Sequence, residues 1–144
     1  MPAQKIQHLL EELNRLGNPQ DRLAWLVARS KRTPPWPPES RRDELKLTGC
    51  LANLWFVPTL EDGKCHFRAD SDSAVVRSIA LLLCEIYSDA SPEVIVANPP
   101  DALQQAGFHQ ILTPNRRNAI PRVWERILKF ARTAMTPPGT PSGS

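Results

Sequence analysis

One dipeptide does most to limit what this chain can fold into. Asp62-Gly63 lies within "EDGK", and the residues around it read as strands. Asp-Gly accepts the two positive φ angles that a tight hairpin turn demands. Before it, Asn53 to Leu60 is rich in strand formers, with an apolar run from Leu54 to Val57. After it, Cys65, Phe67 and Ala69 alternate with Lys64, His66 and Arg68, the pattern of a strand with one wet face. Leu45 and Leu47, alternating with Glu44, Lys46 and Thr48, predict a third short strand ahead of this pair. A hairpin at the centre of the chain implies an antiparallel sheet.

Helical periodicity takes over on both sides. Ile6, Leu9, Leu10, Leu13 and Leu16 share one helical face, and Gly17 stops it. Asn18 is placed to cap a second helix with Pro19 at its first position, and Leu23, Leu26 and Val27 form its apolar side. "TPPWPPES" (Thr33 to Ser40) then reads as a stiff extended crossover with Trp36 set against the core. Ser71 or Asp72 is expected to cap a long apolar helix from about Ser73 to Tyr87. Short helices are predicted from Ser91-Pro92 and from Asn98 to Gly107. The last helix carries Ile120, Val123, Trp124, Ile127, Leu128 and Ala131 inward; it either begins near Pro121 or kinks there. Strands segregated from helices give an α+β class, a small three-stranded antiparallel sheet packed against helices.

The chain has 144 residues, enough for one domain with its own core. Residues 1–134 are assigned to that domain, and 135–144, rich in Pro, Gly and Ser, to a disordered tail. The net charge of +3 permits an acidic partner without requiring one. The N-terminal stretch is amphipathic and contains acidic residues, unlike a secretory signal or transit peptide, and no apolar run reaches the ~18 residues that cross a bilayer. An odd number of cysteines, Cys50, Cys65 and Cys84, argues against a disulfide framework. Together these features predict a reducing, cytoplasmic setting.

The three thiols differ in context. Cys65 alternates with polar residues and Cys84 lies among Leu82, Leu83 and Ile86, so both are expected in the core. Cys50 stands between two predicted strands in "LTGCLANLW", where Gly49 permits a sharp bend. On these grounds Cys50 is either a working thiol or a buried structural one. No close Cys-x-x-Cys or His-x3-His pair supports a metal site, and His8, His66 and His109 are scattered without a signature joining one to Cys50. Arg116, Arg117, Arg122, Arg126, Lys129 and Arg132 gather near the end against Glu125 alone. They form a solvated helix face or a docking face for an acidic protein patch; no aromatic platform accompanies them to suggest nucleic acid.

Three blocks taken together carry a resemblance. In "LTGCLANLWFV", Gly49, Cys50 and Trp55 match a Gly-Cys-x-Ser-x-Val-Trp pattern, with Leu54 for the valine. In "ADSDSAVVRSIALLL", Asp70, Ser71, Asp72, Val75, Val76 and Arg77 match an Asp-Ser-Asp helix start. In "ILTPNRRNAI", Leu112, Thr113, Pro114, Arg116 and Asn118 match a third pattern. In this order and spacing the chain resembles the SufE family of sulfur-acceptor proteins over about residues 5 to 133. It departs at Ala52, Asn115 and Ala119, which replace serine, serine and glycine, and Pro121 intrudes just after the third block.

The resemblance implies a persulfide carrier with Cys50 as its nucleophile and Gly49, Asp72 and Arg116 as supporting residues. Asp72 either caps its helix or serves the thiol loop, and Arg116 either pairs with Asp72 or meets a partner's acidic groups. It implies no cofactor and no metal of the protein's own. The implied partners are a pyridoxal-phosphate cysteine desulfurase, which the protein would stimulate, and an iron–sulfur scaffold or other sulfur acceptor. It implies neither nucleic acid nor membrane, and leaves monomer or homodimer open. Two other readings follow from the same residues. One is an iron–sulfur scaffold using Cys50, Cys65 and Cys84; the other is a module that regulates a desulfurase by binding alone.

Overall fold

In the computed structural model, Asp62 and Gly63 take φ angles of 53° and 77°. Those paired positive values belong to a type I′ turn, whose twist suits a two-residue hairpin. The structure describes residues 2–47, 52–101, 103, 112 and 118–135. Around the turn, β1 (Leu54–Glu61) and β2 (Lys64–Ser71) pair antiparallel, from Leu54 opposite Ser71 to Glu61 opposite Lys64. One face of the hairpin buries Leu54, Phe56, Cys65, Phe67 and Ala69, and the Phe56 and Phe67 rings stack at 5.7 Å.

The third strand expected at Leu45 to Leu47 does not form among the described residues. Asp43–Leu45 is a 3₁₀ turn, preceded by another at Pro38–Ser40. Only Lys46 lies alongside β1, bridged to Trp55, and the Leu47 N–H donates to the Leu54 carbonyl at 2.8 Å. Leu45 is the last residue of the second 3₁₀ turn, so its backbone is not extended opposite Phe56, the next partner at that register. Two consecutive turns therefore reduce the predicted strand to a bridge.

Among the described residues five α-helices surround the hairpin: α1 (Pro2–Asn14), α2 (Pro19–Ser30), α3 (Ala74–Tyr87), α4 (Pro92–Ala97) and α5 (Ala119–Met135). The predicted Asn18 cap is made, its side chain accepting the Asp21 N–H at 2.9 Å. The predicted cap of α3 is not. Ser73 takes that place instead of Ser71 or Asp72, its Oγ accepting the Val76 N–H. The preceding two side chains are turned toward the start of β1, as described below. Helix α3 lies at the centre of the molecule, packed on β2 and flanked by α2 and α5. Its Val76, Ile79, Leu83 and Ile86 are almost fully buried.

Helix α5 settles the alternative at Pro121. The helix begins at Ala119 with Pro121 in its first turn, where a missing N–H costs nothing, and Arg122 donates to the Asn118 carbonyl at 3.0 Å. Half of the helix predicted from Asn98 to Gly107 (residues 102 and 104–107), and residues 136–144 of the predicted tail, lie outside the described residues. Among the described residues, no helix is long and apolar enough to cross a membrane.

Candidate functional site

Asp72 lies just beyond the end of β2, exposed to solvent, and its carboxylate grips one residue. The Asn53 backbone N–H donates to Asp72 Oδ1 at 3.1 Å, and Asn53 Nδ2 donates to Oδ2 at 2.8 Å. The Asn53 carbonyl is held as well, accepting from Ser71 Oγ at 2.6 Å and from the Asp72 N–H at 3.3 Å. Ser71 Oγ in turn accepts the Ser73 N–H, so the Asn53 contacts are tied to the start of α3. Both backbone polar groups of Asn53 are thereby satisfied by the β2–α3 junction.

These contacts flank the stretch that contains the sequence-predicted thiol. Gly49, Cys50 and Arg116 lie outside the described residues; Asp72 is the one predicted site residue within them. On the near side of that stretch, Leu47 is fixed to Leu54 by its N–H. On the far side, Ala52 is half-buried against the hydrophobic core and Asn53 is clamped by Asp72. An apolar residue at Ala52 suits that packing, which gives the departure from serine a physical basis. The expected Asp72–Arg116 pair falls outside the described residues, whereas the Asp72–Asn53 clamp is in plain view.

A second, buried acidic site supports this end of the sheet. Asp70 is fully buried. Its Oδ1 accepts Arg77 Nε at 2.6 Å; its Oδ2 accepts the Trp36 N–H at 3.0 Å and Arg41 at 2.9 and 3.1 Å. Burial alone would push this carboxyl up. The hydrogen bonds from Arg77, the Trp36 N–H, Arg41 and the Ser71 N–H outweigh it and hold Asp70 below its ordinary value. Arg77 reaches further, to the Ser30 carbonyl at 2.9 Å and the Thr33 carbonyl at 2.6 Å. Arg41 stacks its guanidinium 4.9 Å from the Trp55 ring. One carboxylate thus fastens the proline-rich crossover to β2 and α3, and through Arg41 to Trp55 of β1.

The two described thiols are sealed. Cys65 is fully buried and Cys84 nearly so. Burial, and secondarily the charge of Glu93, raises Cys65; burial pushes Cys84 up to about 12. Neither is a thiolate near neutral pH, and thiolate is the reactive form.

Sequence reasoning missed Asn53, Arg41 and the role of Asp70. Asp70 and Arg77 belong to a matched motif, and a carboxylate seven residues before an arginine across a strand-to-helix junction is a visible signal. Nothing in the sequence marks Arg41, which reaches Asp70 from 29 residues away.

A protein-family model described as SufE, "Fe-S metabolism associated domain", matches residues 7–131. The chain belongs to the SufE family. The role that follows at this level is one in iron–sulfur metabolism. An uncharacterized SufE-like protein of Synechocystis sp. is 28% identical over 122 residues, covering 85% of this chain and 77% of that protein. The chloroplastic quinolinate synthase of Arabidopsis thaliana is 36% identical over 89 residues, which is 61% of this chain and 12% of the plant enzyme. The corresponding enzyme of Nicotiana tabacum is 26% identical over 129 residues, 86% of this chain and 17% of the enzyme. In both plant proteins the match is a small part of a much longer chain. The solution structure of a hypothetical protein from Thermus thermophilus superposes with a TM-score of 0.73 at 25% identity, covering 92% of this chain and 97% of that one.

Proposed function

We propose that this SufE-family chain is a sulfur carrier that accepts a persulfide sulfur on Cys50 from a pyridoxal-phosphate cysteine desulfurase, stimulates that enzyme, and releases the sulfur for iron–sulfur cluster assembly. The observation that carries the proposal is the contrast between thiols. Cys65 and Cys84 are buried and held protonated, while the Cys50 stretch is bracketed by two anchors, Leu47 on Leu54 and Asn53 on Asp72. Anchored ends beside an exposed carboxylate clamp suit a residue that must be presented to another protein.

The chemistry is an exchange at sulfur. The Cys50 thiolate attacks the outer, sulfane sulfur of the donor's cysteine persulfide. A new S–S bond forms to Cys50, the donor's S–S bond breaks, and the donor cysteine leaves as thiolate. The transferred sulfur carries its proton or loses it to solvent, and no external oxidant or reductant is needed. Delivery to an acceptor thiol repeats the exchange in the other direction. Asp72 acts as a positioning residue through Asn53. The quinolinate synthase matches support a module that serves a neighbouring protein, since there the matching segment is part of a larger polypeptide. The scaffold reading is disfavoured because it needs three reachable thiols, and two of them are buried.

Mass spectrometry after incubation with a cysteine desulfurase and cysteine tests the reading. The expected result is one added sulfur on the wild type, absent from Cys50→Ser and retained in Cys65→Ser and Cys84→Ser. Sulfur retained in Cys50→Ser would overturn it. Stimulation of the desulfurase by Cys50→Ser at the wild-type level would favour a purely regulatory module.

A further inference from the structure

We infer that a half-open groove between α2, α3, β2 and the proline-rich crossover is a docking site for an acidic, apolar-anchored segment of a partner protein. The groove has a volume of about 390 Å³. Its floor is apolar, formed by Leu26, Phe67, Leu81 and Leu82, and Trp36 of the crossover lines it too. Its rim is cationic, with Arg29, Arg32 and Arg68. Glu85, the one carboxylate among the lining residues, is already engaged by Arg29. Among the described residues Arg32 and Arg68 meet no carboxylate, although both are exposed, and Arg68 lies 5.6 Å over the Trp36 ring.

The occupant's chemistry follows from this arrangement. Two guanidinium groups that meet no carboxylate among the described residues, beside an apolar floor, complement a ligand that is anionic at its edges and apolar at its centre. A small ligand is usually enclosed over most of its surface. A half-open groove fits a segment whose other side stays with its own protein. An aromatic ring with an arginine against it adds the mixed character of a protein-binding hot spot. The groove lies along β2, roughly 10 Å from Asp72 at the strand's rise per residue. A partner seated there would have the Asp72–Asn53 clamp within reach of a neighbouring part of its surface. Groove binding needs no sulfur chemistry, and the two are read out separately.

The test uses a fluorescein-labelled peptide with a central Leu-Phe pair flanked by Asp and Glu. Fluorescence anisotropy measures its binding, and amide chemical shifts of the wild-type chain locate it. Saturable binding is expected, with the largest shifts at Leu26, Phe67, Ala69 and Leu81. Replacing Leu-Phe by Ser-Ser in the peptide is expected to weaken binding by about tenfold or more, as is Arg32→Glu with Arg68→Glu in the protein. Because the shift map needs no substitution, it answers even if the double variant folds poorly. No saturable binding up to ~1 mM peptide would overturn the proposal. So would shifts centred on the basic face of α5, equal binding of the Ser-Ser peptide, or tighter binding of a single-stranded oligonucleotide to the groove.

Discussion

Asp70 and Asp72 stand two residues apart at the end of one strand, yet they are used in opposite ways. Asp70 is fully buried and receives two arginines and a backbone N–H; Asp72 is exposed and holds one asparagine. The first carboxylate fastens distant parts of the chain, from the proline-rich crossover to α3. The second fastens only the residue that ends the Cys50 stretch. A buried charge is costly unless it is fully paired, so Asp70 belongs to the stability of the domain. An exposed clamp contributes little to stability, so it can be given to a local task. The strand end thus places a rigid support and an adjustable one side by side.

The contrast is sharpest under substitution. Asp70→Asn leaves Arg41 and Arg77 facing a neutral group in a buried site and is expected to cost about 3–5 kcal/mol in urea unfolding. Its pH dependence has a definite sign. Because the folded-state carboxyl is held below its ordinary value, its stabilisation is complete above about pH 4 and is lost as pH falls through the lower folded value. The gap in stability between wild type and Asp70→Asn should be constant near neutrality and close below about pH 4; a gap that widens in acid would contradict the assignment. Arg77→Lys keeps the charge but cannot reproduce the fork to Asp70 and to the Ser30 and Thr33 carbonyls, and is expected to cost about 1–3 kcal/mol.

Asp72→Ala should move stability by only about 0.5–1.5 kcal/mol, while raising the alkylation rate of Cys50 several-fold by freeing Asn53. An unchanged alkylation rate would remove the positioning role. Asn53→Ala removes the Nδ2 bond but keeps the backbone one, and should show the same effect in weaker form. If instead Asp72→Ala proves as destabilising as Asp70→Asn, the division between the two residues fails.

Much of this architecture was legible in the residues. Asp62-Gly63 fixed the hairpin and its register, because a turn with two positive φ angles has few alternatives. Asn18 and Pro19 marked a helix start through their own local chemistry. What was hidden depended on distant parts of the chain. Leu45 to Leu47 alternate like a strand, but Leu45 is taken up by the second of two consecutive 3₁₀ turns, which leaves room for one bridge at Lys46. Ser73, not Asp72, caps α3, because Ser71 and Asp72 are taken by Asn53 across the sheet. Burial of Cys65 followed from its alternation with Lys64 and His66, and that of Cys84 from its apolar neighbours; the reach of Arg41 to Asp70 followed from nothing local.

The anchoring of Leu47 and Ala52 has a consequence for how far a sulfur could travel. Consecutive Cα atoms are 3.8 Å apart, so the Cα of Cys50 stays within about 7.6 Å of that of Ala52 in every conformation the chain can take. A persulfide on so short a leash cannot commute between distant partners by swinging alone. If Cys50 carries sulfur as proposed, donor and acceptor must each bring the reacting sulfur to nearly the same spot on this domain. They must therefore take turns, and the order of visits becomes a matter of competition for one small area of surface.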